Sequence, residues 1–367
     1  MGSIDVFFAG GGTGGHLFPG IAVAREIRRR YPHVRVIFVG AGRALEAHVL
    51  SREGFSVERI RTGGLVRQSL GKLIRGLAIL PLSLLDAARL IRRYSPRLVV
   101  GLGGYSSGPV VLWAALSRIP TMLMEQNTVP GMTNRWLARV VRASALSSEA
   151  ALSYFPGTGF VSGNPVRPGF FTLALPPRAP ATVHVLVIGG SQGAHAINIA
   201  MVDAAPVIAS SPRGLRITHQ AGEGDVALVR EGYRAAGLVA RVEPFLDRVD
   251  QEMATADLIV CRAGATTLAE VAAAGRPAIL VPFPYATDDH QRRNASVVAE
   301  AGAAEVIDQI ELSGEVLAAR IVGLAADDER RATIARKSRS LARPDAAGII
   351  VDRIGRLLAL EDTSGRG

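Results

Sequence analysis

The segment IDVFFAGGGTGGH, at residues 4–16, joins a short apolar run directly to a cluster of glycines. A β-branched and aromatic run of this length is typical of a buried parallel strand. Glycines after such a strand let the backbone approach a ligand, and the helix that follows presents free N–H groups where negative charge is stabilised. The segment therefore predicts the first strand, turn and helix of an α/β domain, with an anion-binding turn.

The second half of the chain repeats this arrangement. The apolar run at 183–188 leads into GGSQGAH at 189–195, which again combines glycines, a hydroxyl residue and a histidine. Short β-branched runs alternate with helical patterns in both halves, as in parallel-sheet domains. A stretch rich in proline and glycine at 163–180 is typical of a linker between them. We expect two doubly wound domains that bind their ligands at the carboxyl ends of the strands, in the cleft between the domains.

The composition suits a two-domain protein of a reducing compartment. The chain has 367 residues, 48% hydrophobic and 20% charged, which is enough apolar material for two cores. Its one cysteine, Cys261, cannot form an internal disulfide. The N-terminus lacks the features of a secretory signal, and the apolar run at 77–85 is far shorter than the roughly 20 residues of a spanning helix. We expect a protein that is soluble or lies on a membrane surface.

The net charge of +10 indicates attraction to anions, which include acidic lipids, phosphorylated substrates and nucleic acids. A solvated basic surface without a partner explains the charge equally well. Aromatic residues make up only 5% of the chain, and no basic run is interleaved with aromatics that would stack on bases. No nucleic-acid partner is therefore predicted.

The first glycine cluster leaves several kinds of site open. Glycines 10, 12 and 15 match the spacing of a dinucleotide-binding turn, but the second strand ends in GAGR at 40–43 without the acidic residue that holds the ribose. No lysine follows the glycines, as a phosphate-binding P-loop requires. A NAD-dependent oxidoreductase is thus the less favoured alternative, and a tight turn with a purely structural role stays open.

Two candidate bases follow strands of the first half. His16 begins a helix whose dipole disfavours the protonated ring, so this histidine can accept a proton; a capping or packing role is equally open. Glu125 and Asn127 come directly after the strand at 121–124, where ligands bind in this fold. Such residues also commonly satisfy the backbone groups of a loop.

The segment RAGATTLAE at 262–270 follows a strand of the second half and opens a helix. Its first N–H groups, with Thr266 and Thr267, could bind a diphosphate, and Glu270 could accept both hydroxyls of a ribose. A glutamate near a helix start is also favoured by the dipole alone. The paired aspartates at 288–289 have no second ligand cluster to match them, so no metal site is predicted.

Seven motifs in order resemble the MurG family of bacterial UDP-N-acetylglucosamine (UDP-GlcNAc) transferases. They are GGTGGHLFPG (11–20), GGYSSGP (103–109), EQN (125–127), GNPVR (163–167), GGSQGA (189–194), CRAGATTLAE (261–270) and DHQRRNA (289–295). The resemblance implies an α/β protein of the GT-B fold with two Rossmann-like domains. Residues 1–163 would form the acceptor-binding, membrane-associating domain, on which a C-terminal helix at 343–362 packs, and 164–342 the domain that binds UDP-GlcNAc.

The resemblance also implies a reaction. GlcNAc would pass from UDP-GlcNAc to the MurNAc 4-hydroxyl of undecaprenyl-diphosphate-linked muramoyl-pentapeptide, with inversion and a β-1,4 linkage. This step converts lipid I to lipid II in peptidoglycan synthesis, at the cytoplasmic face of the bacterial plasma membrane. No cofactor would be required, while stimulation by divalent cations stays open. A GT-B transferase that uses another lipid or a small-molecule acceptor is the main alternative.

The site residues follow from the same resemblance. The acceptor-domain residues that face the cleft would be Thr13, Gly14, Gly15 and Asn127. The residues that contact the donor would be Arg167, Ser191, Leu246, Ala265, Thr266, Thr267, Leu268, Ala269, Glu270 and Gln291, with Glu270 on the ribose and Gln291 on the sugar hydroxyls. Inversion by a single displacement requires a base for the acceptor hydroxyl. His16 is the first candidate and Glu125 the second.

The helix predicted at 70–94 combines apolar and basic side chains. They are Leu73, Ile74, Leu77, Leu80, Leu84 and Leu85 with Lys72, Arg75, Arg89, Arg92 and Arg93. An apolar patch rimmed by cations suits a surface of anionic lipid, where a polyprenyl acceptor resides. An ordinary α/β helix with its apolar side in the core explains part of the pattern.

Overall fold

The computed structural model describes residues 4–12, 14–62, 70–174, 182–190, 193–286 and 289–359, with the backbone alone at 44–45 and 70–78. These residues fall into two compact units. Unit 1 comprises Met1–Arg167 with Asp345–Gly367, and unit 2 comprises Pro168–Pro344. The sequence analysis placed the corresponding boundaries after residues 163 and 342.

Unit 1 is built on a parallel sheet whose seven described strands lie in the order β3-β2-β1-β4-β5-β6-β7. The strands are β1 Ile4–Gly10, β2 Val34–Gly40, β3 Ser56–Arg59, β4 Leu98–Gly103, β5 Thr121–Glu125, β6 Ala143–Leu146 and β7 Gly159–Val161. The helices between them are α1 Gly14–Arg30, α2 Ala44–Arg52, α3 Leu70–Tyr94, α4 Ser107–Leu116 and α5 Met132–Leu137. The strand order reverses between β1 and β4, which is where doubly wound sheets bind their ligands.

Both faces of the unit 1 sheet are covered. Val6 and Phe8 of β1 point into the core beneath α1, while Phe7 and Ala9 point into the core beneath α3, α4 and α5. Successive side chains of a strand point to opposite faces, so a strand covered on both sides must be apolar throughout. This explains the continuous apolar run that begins the chain.

Unit 2 repeats the architecture with six described parallel strands in the order β10-β9-β8-β11-β12-β13. The strands are β8 Thr182–Ile188, β9 Gly214–Gln220, β10 Ala240–Glu243, β11 Leu258–Cys261, β12 Ala278–Leu280 and β13 Glu305–Val306. The helices are α6 His195–Ala209, α7 Val226–Ala235, α8 Val249–Thr255, α9 Ala265–Ala274, α10 His290–Glu300, α11 Gly314–Ala326 and α12 Asp328–Ser340. The fold class is therefore α/β with two parallel sheets, as predicted.

The last helix, α13 at Ala346–Leu358, follows unit 2 in the chain but packs on α1 of unit 1. Ile350 and Ile354 are buried in the same core as Ile27 of α1. Arg30 and Asp352 pair across the two helices at 2.5 Å. The chain thus crosses from unit 1 to unit 2 and returns to close the first core.

Candidate active site

The first glycine turn lies where β1 and β4 end side by side. Gly10 has a φ of +121°, and a Cβ there would lie 2.4 Å from the carbonyl oxygen of Gly103. Only glycine permits this approach of two backbones. Gly14 and Gly15 are the first residues of α1, so their N–H groups belong to its positive end. Thr13 lies outside the described residues.

The imidazole of His16 rests on the end of β4. A Cβ on Gly103, whose φ is +98°, would lie 3.0 Å from the ring. Nδ1 of His16 lies 2.8 Å from Oε1 of Gln126, the residue that follows β5. Gln126 is only 4% exposed, and its amide nitrogen donates to the carbonyl of Leu102 at 3.4 Å. Gln126 was not predicted as a site residue from the sequence, although it stands between Glu125 and Asn127, which were.

Glu125 is buried, and each of its oxygens accepts two N–H groups. Oε1 accepts from the backbone and side-chain nitrogens of Asn127 at 3.0 and 3.2 Å. Oε2 accepts from the backbone of Gly131 at 3.2 Å and from Asn134 at 2.9 Å. These four bonds use the lone pairs with which a base would take a proton. In this arrangement the carboxylate of Glu125 holds the loop that carries Asn127.

A second buried carboxylate, Glu46, lies on the other side of the turn. It accepts from the N–H groups of Gly42 and Arg43 at 3.0 and 3.3 Å, and so caps the start of α2. Burial raises the pKa of Glu46 above its usual range, against those two backbone bonds. A Cβ on Gly40, at the end of β2, would collide with the carboxylate. An acidic side chain, that of Glu46, therefore does lie near the end of β2, although the GAGR segment itself has none. It is bonded to the backbone just before α2.

The second glycine turn is tied to the neighbouring loop by one side chain, Gln220 at the end of β9. Its amide nitrogen donates to the carbonyl of Gly190 at 2.7 Å, and its oxygen accepts from the backbone N–H of Leu246 at 3.1 Å. Leu246 is itself buried. Gly193 packs so closely that a Cβ would lie 2.3 Å from the carbonyl of Ala221. Ser191 lies outside the described residues, and Gln220 was missed by the sequence analysis.

Helix α9 begins where β11 ends. Gly264 caps it in an extended conformation, Ala265, Thr266 and Thr267 form its first turn at the positive end of the helix dipole, and the N–H of Leu268 bonds back to Gly264. Such a turn attracts a diphosphate. Ala269 lies in the next turn, half-buried.

Glu270 lies near the same edge of the unit 2 sheet. Burial raises the pKa of Cys261, the last residue of β11, to about 12, and the charge of Glu270 contributes to that shift. Glu270 belongs to α9, the helix that follows β11. The thiol itself is fully buried and stays protonated, so it is not a nucleophile.

Two side chains of helix α10 form hydrogen bonds with the loops that follow β12 and β11. Oε1 of Gln291 accepts from the backbone N–H of Phe283 at 3.0 Å, so its amide nitrogen is directed away from that loop. Asn294 donates to the carbonyl of Ala263 at 3.4 Å. Among the residues that the structure describes, no three His, Cys, Asp or Glu side chains come together as metal ligands would. Asp288 lies outside those residues.

Arg167 is the one described donor-site candidate that belongs to unit 1. Its guanidinium lies 5.3 Å from the centre of the Phe18 ring of α1, a cation–π distance. The remaining described donor candidates, from Leu246 to Gln291, all belong to unit 2 and lie in loops or helix starts after its strands.

Comparison with known proteins assigns the class. Residues 6–146 match the glycosyltransferase family 28 N-terminal domain, and residues 184–349 match the glycosyltransferase family 28 C-terminal domain. With two parallel-sheet units that each carry a glycine turn, the fold is GT-B and the protein is a glycosyltransferase.

Individual relatives narrow the class to one family. A protein of Anaeromyxobacter dehalogenans (strain 2CP-C) is 46% identical over 94% of this chain and 90% of its own length. One of Geotalea uraniireducens is 44% identical over 96% of this chain and 98% of its own length. Both are named UDP-N-acetylglucosamine–N-acetylmuramyl-(pentapeptide) pyrophosphoryl-undecaprenol N-acetylglucosamine transferase. The crystal structure of Acinetobacter baumannii MurG is 31% identical, with a TM-score of 0.76 over 96% of this chain and 99% of that one. The chain belongs to the MurG family of glycosyltransferases, which confirms the resemblance.

Proposed function

We propose that the protein transfers GlcNAc from UDP-GlcNAc to the MurNAc 4-hydroxyl of undecaprenyl-diphosphate-linked muramoyl-pentapeptide, with inversion at the anomeric carbon. This is the conversion of lipid I to lipid II in peptidoglycan synthesis. The observation that carries the proposal is 46% identity, over 94% of the chain, to a relative whose name specifies both the donated sugar and the acceptor.

The donor half of the reaction is assigned to unit 2. The N-terminus of α9, with the positive end of its dipole, binds the diphosphate, Glu270 accepts the ribose hydroxyls, and Gln291 donates to the sugar. As the bond from C1 of GlcNAc to the β-phosphate breaks, UDP leaves with the electron pair and gains charge. Fixed N–H groups and the α9 dipole stabilise that charge without reorganising. For this reason we expect no cofactor to be required.

The acceptor half is assigned to unit 1. The MurNAc 4-hydroxyl oxygen attacks C1 of GlcNAc from the face opposite the diphosphate, and its proton passes to Nε2 of His16. A positioned base of this kind typically contributes about 10²- to 10⁴-fold to the rate. Asn127 lies beside Glu125 at the same strand edge, where it can bind the acceptor.

Unit 1 also carries an apolar surface suited to a membrane, which we call the α3–α5 surface. Helix α4 packs against both α3 and α5. Large apolar side chains are exposed on all three helices and in the loop after α5. They are Leu80, Leu82, Leu85, Leu116, Met132, Trp136 and Val140. Exposed arginines stand on α3 or in the segments that follow α4 and α5, at positions 89, 92, 118 and 139.

We propose that the α3–α5 surface lies on the anionic cytoplasmic face of the bacterial plasma membrane, where the polyprenyl acceptor is anchored. The positive charge of the chain then serves this contact and the phosphorylated substrates, not nucleic acid. In the described part of the chain, no helix combines the length and hydropathy needed to cross a bilayer. The side chains of Lys72, Leu73, Ile74, Arg75 and Leu77, also predicted for this surface, lie outside the described ones.

The test is a donor screen with a lipid-linked muramoyl-pentapeptide acceptor in which UDP release and the glycosylated lipid are both measured. We expect a product with one added GlcNAc from UDP-GlcNAc, and much slower reaction with UDP-glucose or UDP-GalNAc. Reactions without acceptor serve as the control for donor hydrolysis. Consumption of UDP-GlcNAc that does not depend on the acceptor, or transfer only to a different acceptor, would overturn the proposal.

A further inference from the structure

The Gln126 amide has a single orientation. Its nitrogen, 3.4 Å from the carbonyl oxygen of Leu102, faces a group that can only accept. Its oxygen is thereby turned toward His16, at 2.8 Å from Nδ1. The backbone of Gln126 is held as well, because the hydroxyl of Ser147 donates to its carbonyl at 2.6 Å. The residue is buried, so water does not compete for these bonds.

This orientation decides which ring nitrogen of His16 carries the proton. The Gln126 oxygen has no hydrogen to give, so Nδ1 must donate to it. A neutral imidazole has one N–H, and Nε2 therefore holds the free lone pair. The ring also packs on Gly103, where any side chain would meet it at 3.0 Å, so its plane is set by two independent contacts.

The hydrogen-bond partner of His16 is the neutral amide of Gln126, whereas many catalytic histidines are paired with a carboxylate. In Ser-His-Asp sites the orienting group is a carboxylate, which also stabilises the protonated ring. The described charged groups around this turn are otherwise engaged. Glu125 accepts four N–H groups, Glu46 caps α2, and Arg43 donates to the carbonyl of Gly12 at 2.8 Å.

We propose that Gln126 is a positioning residue for the transfer reaction, because it fixes the His16 tautomer in which Nε2 receives the acceptor proton and does so without a charge. The inference rests on the proposed function and on His16 as the base. Gln126 touches no reacting atom in this scheme and acts only through the ring.

Two substitutions of Gln126 distinguish its effect on the orientation of the His16 ring from the effect of its lack of charge. Gln126→Met removes the acceptor while keeping the bulk, and we expect kcat to fall about 10- to 100-fold with the KM for UDP-GlcNAc unchanged. This is less than the ~10⁴-fold loss seen when the orienting aspartate of a serine-protease triad is replaced, because the ring can still sample the productive tautomer. Gln126→Glu keeps the acceptor and adds a charge that stabilises the protonated ring. The acidic limb of its kcat/KM profile should move up by about 1–3 pH units, with activity recovering at alkaline pH.

Gln251→Glu, at an exposed position of α8, is the matched control for the added charge and should keep the wild-type profile. Because Gln126 acts through His16, Gln126→Met should cost nothing further in a His16→Ala background. A melting curve checks that each variant is folded. Equal losses in both backgrounds, or an unshifted pH profile of a folded Gln126→Glu enzyme, would overturn the inference. Absence of transfer by the wild-type and Gln251→Glu proteins would instead refute the proposed function.

Discussion

Replacing Glu125 with glutamine distinguishes two possible roles of this residue, the catalytic base and the side chain that holds the loop carrying Asn127. The carboxylate accepts two N–H groups at each oxygen. An amide can offer its oxygen to only one pair, and its NH₂ then faces the other pair. Two hydrogen bonds to a charged group are lost, worth about 1.5–3 kcal/mol each. Asn134 has a buried Oδ1 without a described partner, and its rotation recovers part of the loss. We therefore expect the free energy of unfolding of unit 1 to fall by about 2–4 kcal/mol.

Calorimetry and steady-state kinetics on the same preparation measure the two effects. For a unit of this size, each kcal/mol lowers the melting temperature by roughly 2–4 °C, so we expect a drop on the order of 4–16 °C. The kcat of the folded enzyme should fall by about tenfold or less, well short of the loss of a general base. Glu149→Gln, an exposed site in the same unit, should change stability by no more than about 0.5 kcal/mol. An unchanged melting temperature with a kcat reduced about 100-fold or more would refute the reasoning and make Glu125 the base.

Four further outcomes are expected. His16→Ala should lower kcat by about 10²- to 10⁴-fold while the affinity for UDP-GlcNAc, measured by calorimetric titration, stays near wild type; a near-normal kcat would eliminate His16 as the base. Glu270→Ala should weaken UDP and UDP-GlcNAc alike, whereas Gln291→Ala should weaken the sugar nucleotide and leave UDP nearly unaffected; equal losses of both ligands in both variants would show that the ribose and sugar ends are misplaced. Reversing Arg89 and Arg92 to Glu should reduce binding to anionic vesicles by about 1 kcal/mol per cation, in a sedimentation assay where salt also weakens the wild type; normal binding by the folded variant would identify these cations as solvated. UDP-GlcNAc should raise the melting temperature equally with and without a chelator, and loss of the shift on chelation would reveal a required metal.

The strand–turn–helix segments were predictable because their signals are local. An apolar run, glycines and a helical pattern lie within about one segment of chain, and they predicted β1, β8 and the turns after them. The short edge strands were not predicted. The β3 sequence SVER and the β7 sequence GFV are only partly buried. Each lies at one edge of the sheet, where it pairs with a single neighbouring strand. Strands of this kind are defined by their neighbour and carry little apolar pattern of their own.

The surface proposed to face the membrane could likewise be predicted only in part from the sequence. The leucines and cations of α3 stand within one segment and were selected from it. Met132, Trp136 and Leu116 extend the surface but are dispersed over α4 and α5, and no local pattern separates them from core residues. They are included in the proposed surface because α4 packs against both α3 and α5 and because they are exposed, Trp136 by 67%.

By itself the sequence determined two parallel α/β domains, the glycine turns that open them and the strand ends at which the polar residues stand. These properties depend on burial and backbone freedom, which each short segment carries within it. It did not determine which of the three successive polar residues at the end of β5, residues 125–127, would contact His16, which lies more than a hundred positions earlier in the chain. Neighbouring side chains at a strand end point in opposite directions, so the register of β5 in the sheet sends Glu125 toward α5 and Gln126 toward β4 and the imidazole. That choice belongs to the tertiary structure, because it depends on how strands distant in the chain are aligned.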